Sequence, residues 1–258
     1  MRVLAVIPAR FAAVRLPGKP LLRETGKFLI QHVVEQVRQA RRVSEAVVAT
    51  DDARIAEAVA SFGGTAVMTR GDHVSGTDRV AEVAARMPAD LVLNVQGDEP
   101  EMDSGNIDRL VDLMFARPER NIGTVACRFP PEATDGPGSP GDPNAVKVVL
   151  SAAGDALYFS RALVPFPRDL ASAGRMRELD PARYLLHLGL YGFRPATLLQ
   201  LARLAPTELE QIERLEQLRW LHAGHPIAVA IGERPSAGID TPEDYAAFVR
   251  RCRSRSTP

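Results

Sequence analysis

Three short and almost uninterrupted apolar runs, Val3-Leu4-Ala5-Val6-Ile7, Ala46-Val47-Val48-Ala49-Thr50 and Leu91-Val92-Leu93-Asn94-Val95, restrict the folds open to this chain more than any other feature. Runs of this length without polar alternation are the pattern of parallel strands covered on both faces. Between them the period changes to helical. Ile55, Val59 and Phe62 recur at the spacing of one helix face, as do Val80, Val83, Ala84 and Met87, and then Ile107, Leu110, Val111 and Met114. This alternation predicts a doubly wound α/β sheet, which binds ligands at the carboxyl ends of its strands. A chain of 258 residues lies within reach of one such domain with an elaboration. A single unit over residues 1–258 is therefore expected, with a smaller lobe at roughly 130–195.

Residues 130–143 hold five prolines and three glycines, which excludes a helix or a central strand and predicts a long surface loop. Strand-like segments follow at 145–150 and 156–159, then a loop around Pro165 and Pro167, then a further strand at 188–193. The chain returns to α/β order with one helix carrying Leu209, Ile212, Leu215 and Leu218, a strand at 227–231 and a helix opened by Asp240-Thr241-Pro242-Glu243. No internal repeat is present, and the polar tail 250–258 is expected to fray.

Lys and Arg together number 32, matching 32 Asp and Glu, so the chain lacks the positive field that a nucleic acid backbone selects. Cys127 and Cys252 are too few for a disulfide framework and have no zinc spacing, which suits a reducing cytoplasm. The run at 3–7 is interrupted by Pro8 and Arg10 and resembles neither a signal peptide nor a membrane span.

The polar residues that follow the apolar runs are the candidates for chemistry. After the first run come Arg10, Arg15, Gly18 and Lys19: two forked cations, a point charge and a glycine that permits close backbone approach, a set suited to phosphate. A solvated basic loop is the bland alternative, and its place after the first strand of a doubly wound sheet weighs against it. No P-loop and no Gly-x-Gly-x-x-Gly is present. After the third run, Gln96-Gly97-Asp98-Glu99-Pro100 places a carboxylate pair at a strand exit, where Asp98 could hold magnesium or simply close a turn. Asp240 is a second carboxylate candidate, and a helix cap with Glu243 completing a capping box explains it equally. His73, Ser75, Gly76, Thr77, Asp78 and Arg79 could read a nucleobase edge or cap a helix. Arg161, His187 and Tyr191 fall near strand ends, and Glu210 and Glu213 share a helical face, where an ordinary amphipathic helix would also carry them.

Taken together, Ile7-Pro8-Ala9-Arg10, Arg15-Leu16-Pro17-Gly18-Lys19-Pro20-Leu21, His73-Val74-Ser75-Gly76-Thr77-Asp78-Arg79 and Asn94-Val95-Gln96-Gly97-Asp98-Glu99-Pro100 resemble the 3-deoxy-manno-octulosonate (Kdo) cytidylyltransferases. The resemblance continues through Pro143-Asn144-Ala145-Val146-Lys147-Val148-Val149, Ala156-Leu157-Tyr158-Phe159-Ser160-Arg161, the stretch 209–219 and Gly238-Ile239-Asp240-Thr241-Pro242-Glu243-Asp244, and covers nearly the whole chain. It implies a three-layer, nucleotidyltransferase-type (Rossmann-like) α/β fold with a mainly parallel sheet and a smaller inserted lobe. It also implies a cytoplasmic homodimer that uses CTP, Kdo and Mg2+, with its product destined for lipopolysaccharide.

By the same resemblance Arg10, Arg15 and Lys19 bind the CTP phosphates, with Ala9 and Arg79 beside them, and Ser75, Gly76 and Thr77 lie at the cytosine and ribose. Asp98 and Asp240 hold Mg2+, while Gln96, Arg161, His187, Tyr191, Glu210 and Glu213 contact the sugar acid. The chain departs from the family pattern at Ala13-Val14, where a hydroxyl residue is frequent, and at Phe28, where proline is commoner. The implied reaction is in-line attack of the sugar's anomeric hydroxyl on the α-phosphorus of CTP. Its rivals are the same transfer to sialic acid or an amino-substituted Kdo, a glycosyltransferase, and a non-catalytic nucleotide binder.

Overall fold

The computed structural model describes residues 1–12 and 16–255, so Ala13, Val14, Arg15 and the tail 256–258 lie outside the described residues. The fold is mixed α/β, and the chain forms two compact units.

The first unit comprises residues 1–108, 194–202 and 236–258. It contains β1 (Val3–Ala9), α1 (Leu29–Gln39), β2 (Glu45–Thr50), α2 (Ala53–Ser61), β3 (Ala66–Met68), α3 (Gly76–Arg86), β4 (Leu91–Asn94), the start of α4 (Ser104–Ala116), and α6 (Pro195–Leu201) and α9 (Pro242–Arg255). Its four strands run parallel in the order β3-β2-β1-β4. Val3 to Ile7, Val47 to Ala49 and Leu91 to Leu93 are at most 1% exposed, as expected for strands covered on both faces. The first two crossovers step one way along the sheet and the third steps back past β1. Right-handed connections therefore place α3 on the opposite face from α1 and α2. The strand order reverses at β1, which opens a crevice between the carboxyl ends of β1 and β4.

The second unit comprises residues 109–193 and 203–235. After the rest of α4 it contains β5 (Ile122–Arg128), β6 (Lys147–Leu150), β7 (Ala156–Ser160), α5 (Arg168–Ser172), β8 (Leu185–Phe193), α7 (Glu208–Glu213), α8 (Gln217–His222) and β9 (Ile227–Gly232). β5 pairs antiparallel with β8 and parallel with β9, while β6 and β7 form a hairpin joined to β8 at Lys147 and Leu186. Residues 130–143 carry no helix or strand, as their prolines require.

Several expectations change here. The single helix predicted through Leu209 and Leu218 breaks into α7 and α8 at Arg214, which adopts the left-handed conformation with φ 53°. Only the second half faces inward, Leu215 and Leu218 being buried while Ile212 is 72% exposed. Helical spacing alone could not reveal that break. α1, β3, β5 and α6 also form where no element was expected. In β5 the buried run is interrupted by Gly123, which has low strand propensity, and by the polar Thr124, which breaks the apolar pattern and weakens the sequence signal.

Candidate functional site

Lys19 sits one residue beyond Gly18, whose φ of 67° needs the freedom of glycine. The Gly18 amide donates to the Phe11 carbonyl at 3.0 Å, which closes the loop after β1 and returns the chain toward the strand exit. Lys19 Nζ then donates to Asp98 Oδ2 at 2.7 Å, to the Ile239 carbonyl at 2.7 Å and to Asp240 Oδ1 at 3.4 Å. Residues 79 and 221 positions apart in sequence thus converge on one ammonium.

Two local devices hold the carboxylates in place. Gly97 lets the chain leaving β4 press against β1, since a Cβ there would lie 2.6 Å from the Pro8 carbonyl oxygen. The Ile239 amide donates to the Asp98 carbonyl at 2.9 Å, fastening residue 239 beside it. Ile239, Tyr245, Phe248 and Val249 pack against Leu29, so the hydrophobic contact of α9 with α1 carries Asp240 to the site. Asp240 does not cap α9. Thr241 Oγ1 accepts from the Asp244 amide at 3.2 Å, and Asp244 Oδ2 accepts from the Thr241 and Asp240 amides, so the capping box is Thr241 with Asp244 rather than Asp240 with Glu243. That leaves the Asp240 carboxylate directed at Lys19.

Glu99 is the third carboxylate of the cluster, and sequence reasoning gave it no role. It accepts a hydrogen bond from the Ser236 hydroxyl. Burial pushes its carboxyl up to about 7, Asp98 and Asp240 add to the rise, and the Ser236 hydroxyl opposes it. Its only sequence signal was adjacency to Asp98. Among the described residues no group of three or more His, Cys, Asp or Glu side chains is gathered to hold a metal. Asp98 and Asp240 with the Ile239 carbonyl nevertheless form a hard-oxygen donor set already organised around a cation. This fits a small divalent ion that takes one or two carboxylates and completes its shell with phosphate oxygens and water.

The remaining first-unit candidates border the same strand exit. Ala9 is the last residue of β1 and is buried. Nη2 of Arg10, which follows it, is buried without a hydrogen-bond partner among the described residues, an unsatisfied cationic donor suited to an anionic ligand. Gln96 lies partly exposed at the exit of β4. Ser75 caps α3 in a capping box with Asp78, so its hydroxyl accepts from the Asp78 amide and its own amide donates to the Asp78 carboxylate. A Cβ on Gly76 would lie 3.4 Å from the Pro8 ring, which places this helix start beside the exit of β1. Thr77 is buried. Arg79 is fully buried, hydrogen-bonded to Thr69 and 3.1 Å from Asp51, so it ties the first turn of α3 to the exits of β2 and β3. Arg15 lies outside the described residues.

The second unit groups the other candidates into three sets. In the first, Arg161 donates from Nε to the Glu213 carbonyl at 2.6 Å, from Nη1 to the Pro143 carbonyl at 2.9 Å and from Nη2 to the Arg214 carbonyl at 3.5 Å. The Glu213 carboxylate accepts from Ser160 Oγ at 2.6 Å and from the Arg161 amide at 2.9 Å.

In the second set His187 and Tyr191 have ring centroids 5.4 Å apart. Residues four apart on a regular strand are separated by about 13 Å. The bulge in the β5–β8 ladder beside Thr124 and Val125 brings these two rings together. Thr124 Oγ1 donates its one proton to the Leu190 carbonyl at 2.8 Å and so accepts from His187 Nε2 at 2.9 Å, which leaves Nδ1 as an acceptor. Burial pushes the His187 imidazole down to about 3, and burial followed by Glu216 raises the Tyr191 phenol.

Glu210 stands apart from Glu213. It completes the capping box of α7 and receives a two-pronged ion pair from Arg219 at 2.7 and 2.5 Å, which holds its carboxyl below the usual range.

A cytidylyltransferase family model matches residues 4–229. The chain is 45% identical over 252 residues to the 3-deoxy-manno-octulosonate cytidylyltransferase of Syntrophobacter fumaroxidans, covering 96% of each chain. It is 46% identical over 244 residues to the enzyme of the same name from Syntrophotalea carbinolica, covering 95% of this chain and 96% of that one. Among solved structures, CMP:2-keto-3-deoxy-manno-octonic acid synthetase complexed with CTP superposes with a TM-score of 0.88 at 38% identity, over 99% of this chain and 100% of the other. A cytidylyltransferase from Leptospira borgpetersenii serovar Hardjo-bovis shares the fold at a TM-score of 0.61 and 18% identity, covering 96% of this chain and 85% of that one.

Proposed function

The chain belongs to the 3-deoxy-manno-octulosonate cytidylyltransferase family, and on that premise we propose that its residues join Kdo to CMP at the β1–β4 crevice, releasing pyrophosphate. The observation that carries this reading is the convergence of Lys19, Asp98 and Asp240 on one point at a strand exit, in a chain that matches a CTP-bound synthetase over 99% of its length. The product is a nucleotide-activated sugar acid for lipopolysaccharide assembly. We assign the enzyme to the cytoplasm and to a homodimer. Among the described residues no helix is long and apolar enough to cross a membrane.

The anomeric hydroxyl attacks the α-phosphorus in line. One P–O bond forms as the bond to the β-phosphate oxygen breaks, with no covalent enzyme intermediate. Arg10, whose buried Nη2 has no partner among the described residues, and Lys19 bind the triphosphate and offset the charge that gathers on the leaving pyrophosphate, and Arg15 joins them. The start of α3, with its positive dipole end beside the exit of β1, orients the nucleoside end. Asp98 and Asp240 would hold Mg2+, which when bound neutralises phosphate charge and lowers the pKa of the attacking hydroxyl.

Arg161 supports the reading of an acid acceptor. A guanidinium has five N–H donors, and three of these are committed to carbonyls. One N–H remains on each terminal nitrogen to serve a carboxylate. His187 Nδ1 is an acceptor for a sugar hydroxyl. The test is pyrophosphate release from CTP and magnesium with Kdo, with sialic acid and with no acid. Release that requires Kdo supports the assignment. Equal release with sialic acid would move the specificity elsewhere, and no release with any acid would make the chain a nucleotide binder.

A further inference from the structure

Lys147 is a charged residue in the middle of the run Ala145-Val146-Lys147-Val148-Val149, and its side chain is completely buried. An ammonium taken out of water carries a large penalty unless its donors are satisfied, and a methionine of similar volume would avoid that penalty. Two of the three donors of Lys147 are spent on the backbone. Nζ donates to the Asp142 carbonyl at 2.8 Å and to the Arg161 carbonyl at 2.6 Å. The surrounding ionisable groups are Asp142 and Glu213, which favour the charge, and Arg161, which opposes it.

These two carbonyls belong to the segments that the sugar-acid site requires. Asp142 closes the loop 130–143, whose next residue, Pro143, accepts from Arg161 Nη1. Ser160, the ladder partner of Lys147, holds one carboxylate oxygen of Glu213, and the Arg161 amide holds the other. Two cations, one buried and one at the rim, therefore fasten the loop, the end of β7 and the end of α7 to one another through five carbonyls. This also gives the Pro- and Gly-rich loop a task, since its last turn is a wall that fixes the direction of the Arg161 fork.

We propose that Lys147 is a positioning residue for the acid substrate, its buried ammonium pinning Asp142 and Arg161 so that the free edge of the Arg161 guanidinium is aimed at the sugar carboxylate. The inference rests on the Kdo reading above. Lys147 does not touch substrate. Its loss should change recognition of Kdo and leave CTP untouched.

The experiment is steady-state pyrophosphate release with each substrate varied in turn, for wild type, Lys147→Met and Ser160→Ala, with calorimetric CTP binding as a check of folding. For Lys147→Met the KM for Kdo should rise about tenfold or more, the cost of a misdirected charge-assisted contact, with the KM for CTP within about twofold of wild type. Ser160→Ala removes one oxygen and no buried charge. It should shift the KM for Kdo in the same direction by a smaller factor, so the inference remains testable if Lys147→Met does not fold. Unchanged KM for Kdo in a folded Lys147→Met, or in Ser160→Ala where Lys147→Met fails to fold, overturns it. So does an equal rise in both KM values. Absence of Kdo-dependent turnover in the wild type would instead defeat the underlying substrate assignment.

Discussion

Lys19 reaches Asp98, Asp240 and the Ile239 carbonyl at once, so removing one member changes the charge balance of the others. Asp98→Ala should lower turnover by roughly a thousandfold or more, the scale seen when a preorganised charge at a phosphoryl-type transition state is lost. Asp98 is only partly buried, with its side chain 31% exposed, so the melting temperature should stay within a few degrees of wild type. Pyrophosphate release and calorimetry on the same sample check both halves.

His187 yields a prediction about pH. Its folded pKa lies near 3 against an ordinary 6.5. The unfolded chain therefore binds the extra proton first as pH falls, and the stability contributed above pH 6.5 is lost progressively on the acid side. Between pH 6.5 and 5 the loss is no more than about 2 kcal/mol, reduced to the extent that solvent reaches the ring. Urea unfolding of wild type and His187→Gln at both pH values tests this, and equal acid sensitivity of the two proteins would exclude it. At this scale the sequence named Lys19, Asp98 and Asp240 but could not decide whether Asp240 was a cap. The answer depends on Thr241 and Asp244 forming the capping box, a choice between two local hydrogen-bond patterns that only geometry separates. Lys147 was visible as a charge inside an apolar run, but its partners come from loop and strand ends up to 14 residues away.

The elements that carry the site depend on two backbone positions of opposite character. At Gly97 a side chain would meet the Pro8 carbonyl, part of a strand rather than a movable rotamer. Gly97→Ala should therefore separate the exits of β1 and β4, costing about 2 kcal/mol or more and impairing CTP binding, as read by denaturation and calorimetry. A variant that binds CTP normally would show that the close approach is dispensable. At Arg214 the situation reverses. An exposed non-glycine residue holds φ 53° at the break between α7 and α8, a conformation that costs an L-residue roughly 1 kcal/mol and glycine little. Arg214→Gly should leave stability equal or raise it by up to about 1 kcal/mol, because relief of the strained dihedral offsets the added freedom of the unfolded chain. The parallel strands β1, β2 and β4 were legible as unbroken apolar runs, and so was α2 from its periodicity. The α7–α8 break was not, because Leu209, Ile212, Leu215 and Leu218 keep helical spacing straight through it.

At the scale of the whole molecule, the fold class followed from alternation of period, while the convergence of Lys19, Asp98 and Asp240 joins residues far apart in the chain. That convergence has a thermodynamic consequence. Ligands that bind only the native state stabilise it by mass action, about 2.7 kcal/mol at a hundred times the dissociation constant, or roughly 5–10 °C in melting temperature for a chain of this size. Magnesium alone should give little of this, because Lys19 already engages the oxygens of Asp98, Asp240 and Ile239. CTP with magnesium should give nearly all of it, since the triphosphate offers Lys19 an alternative partner and brings the oxygens that complete the cation's shell. EDTA added to the CTP-bound protein should return most of the shift, and Asp98→Ala should show the same small shift with or without magnesium. A full shift from CTP in EDTA would mean that the two carboxylates do not couple nucleotide to cation, and would leave Arg10 and Lys19 as the whole of the triphosphate site.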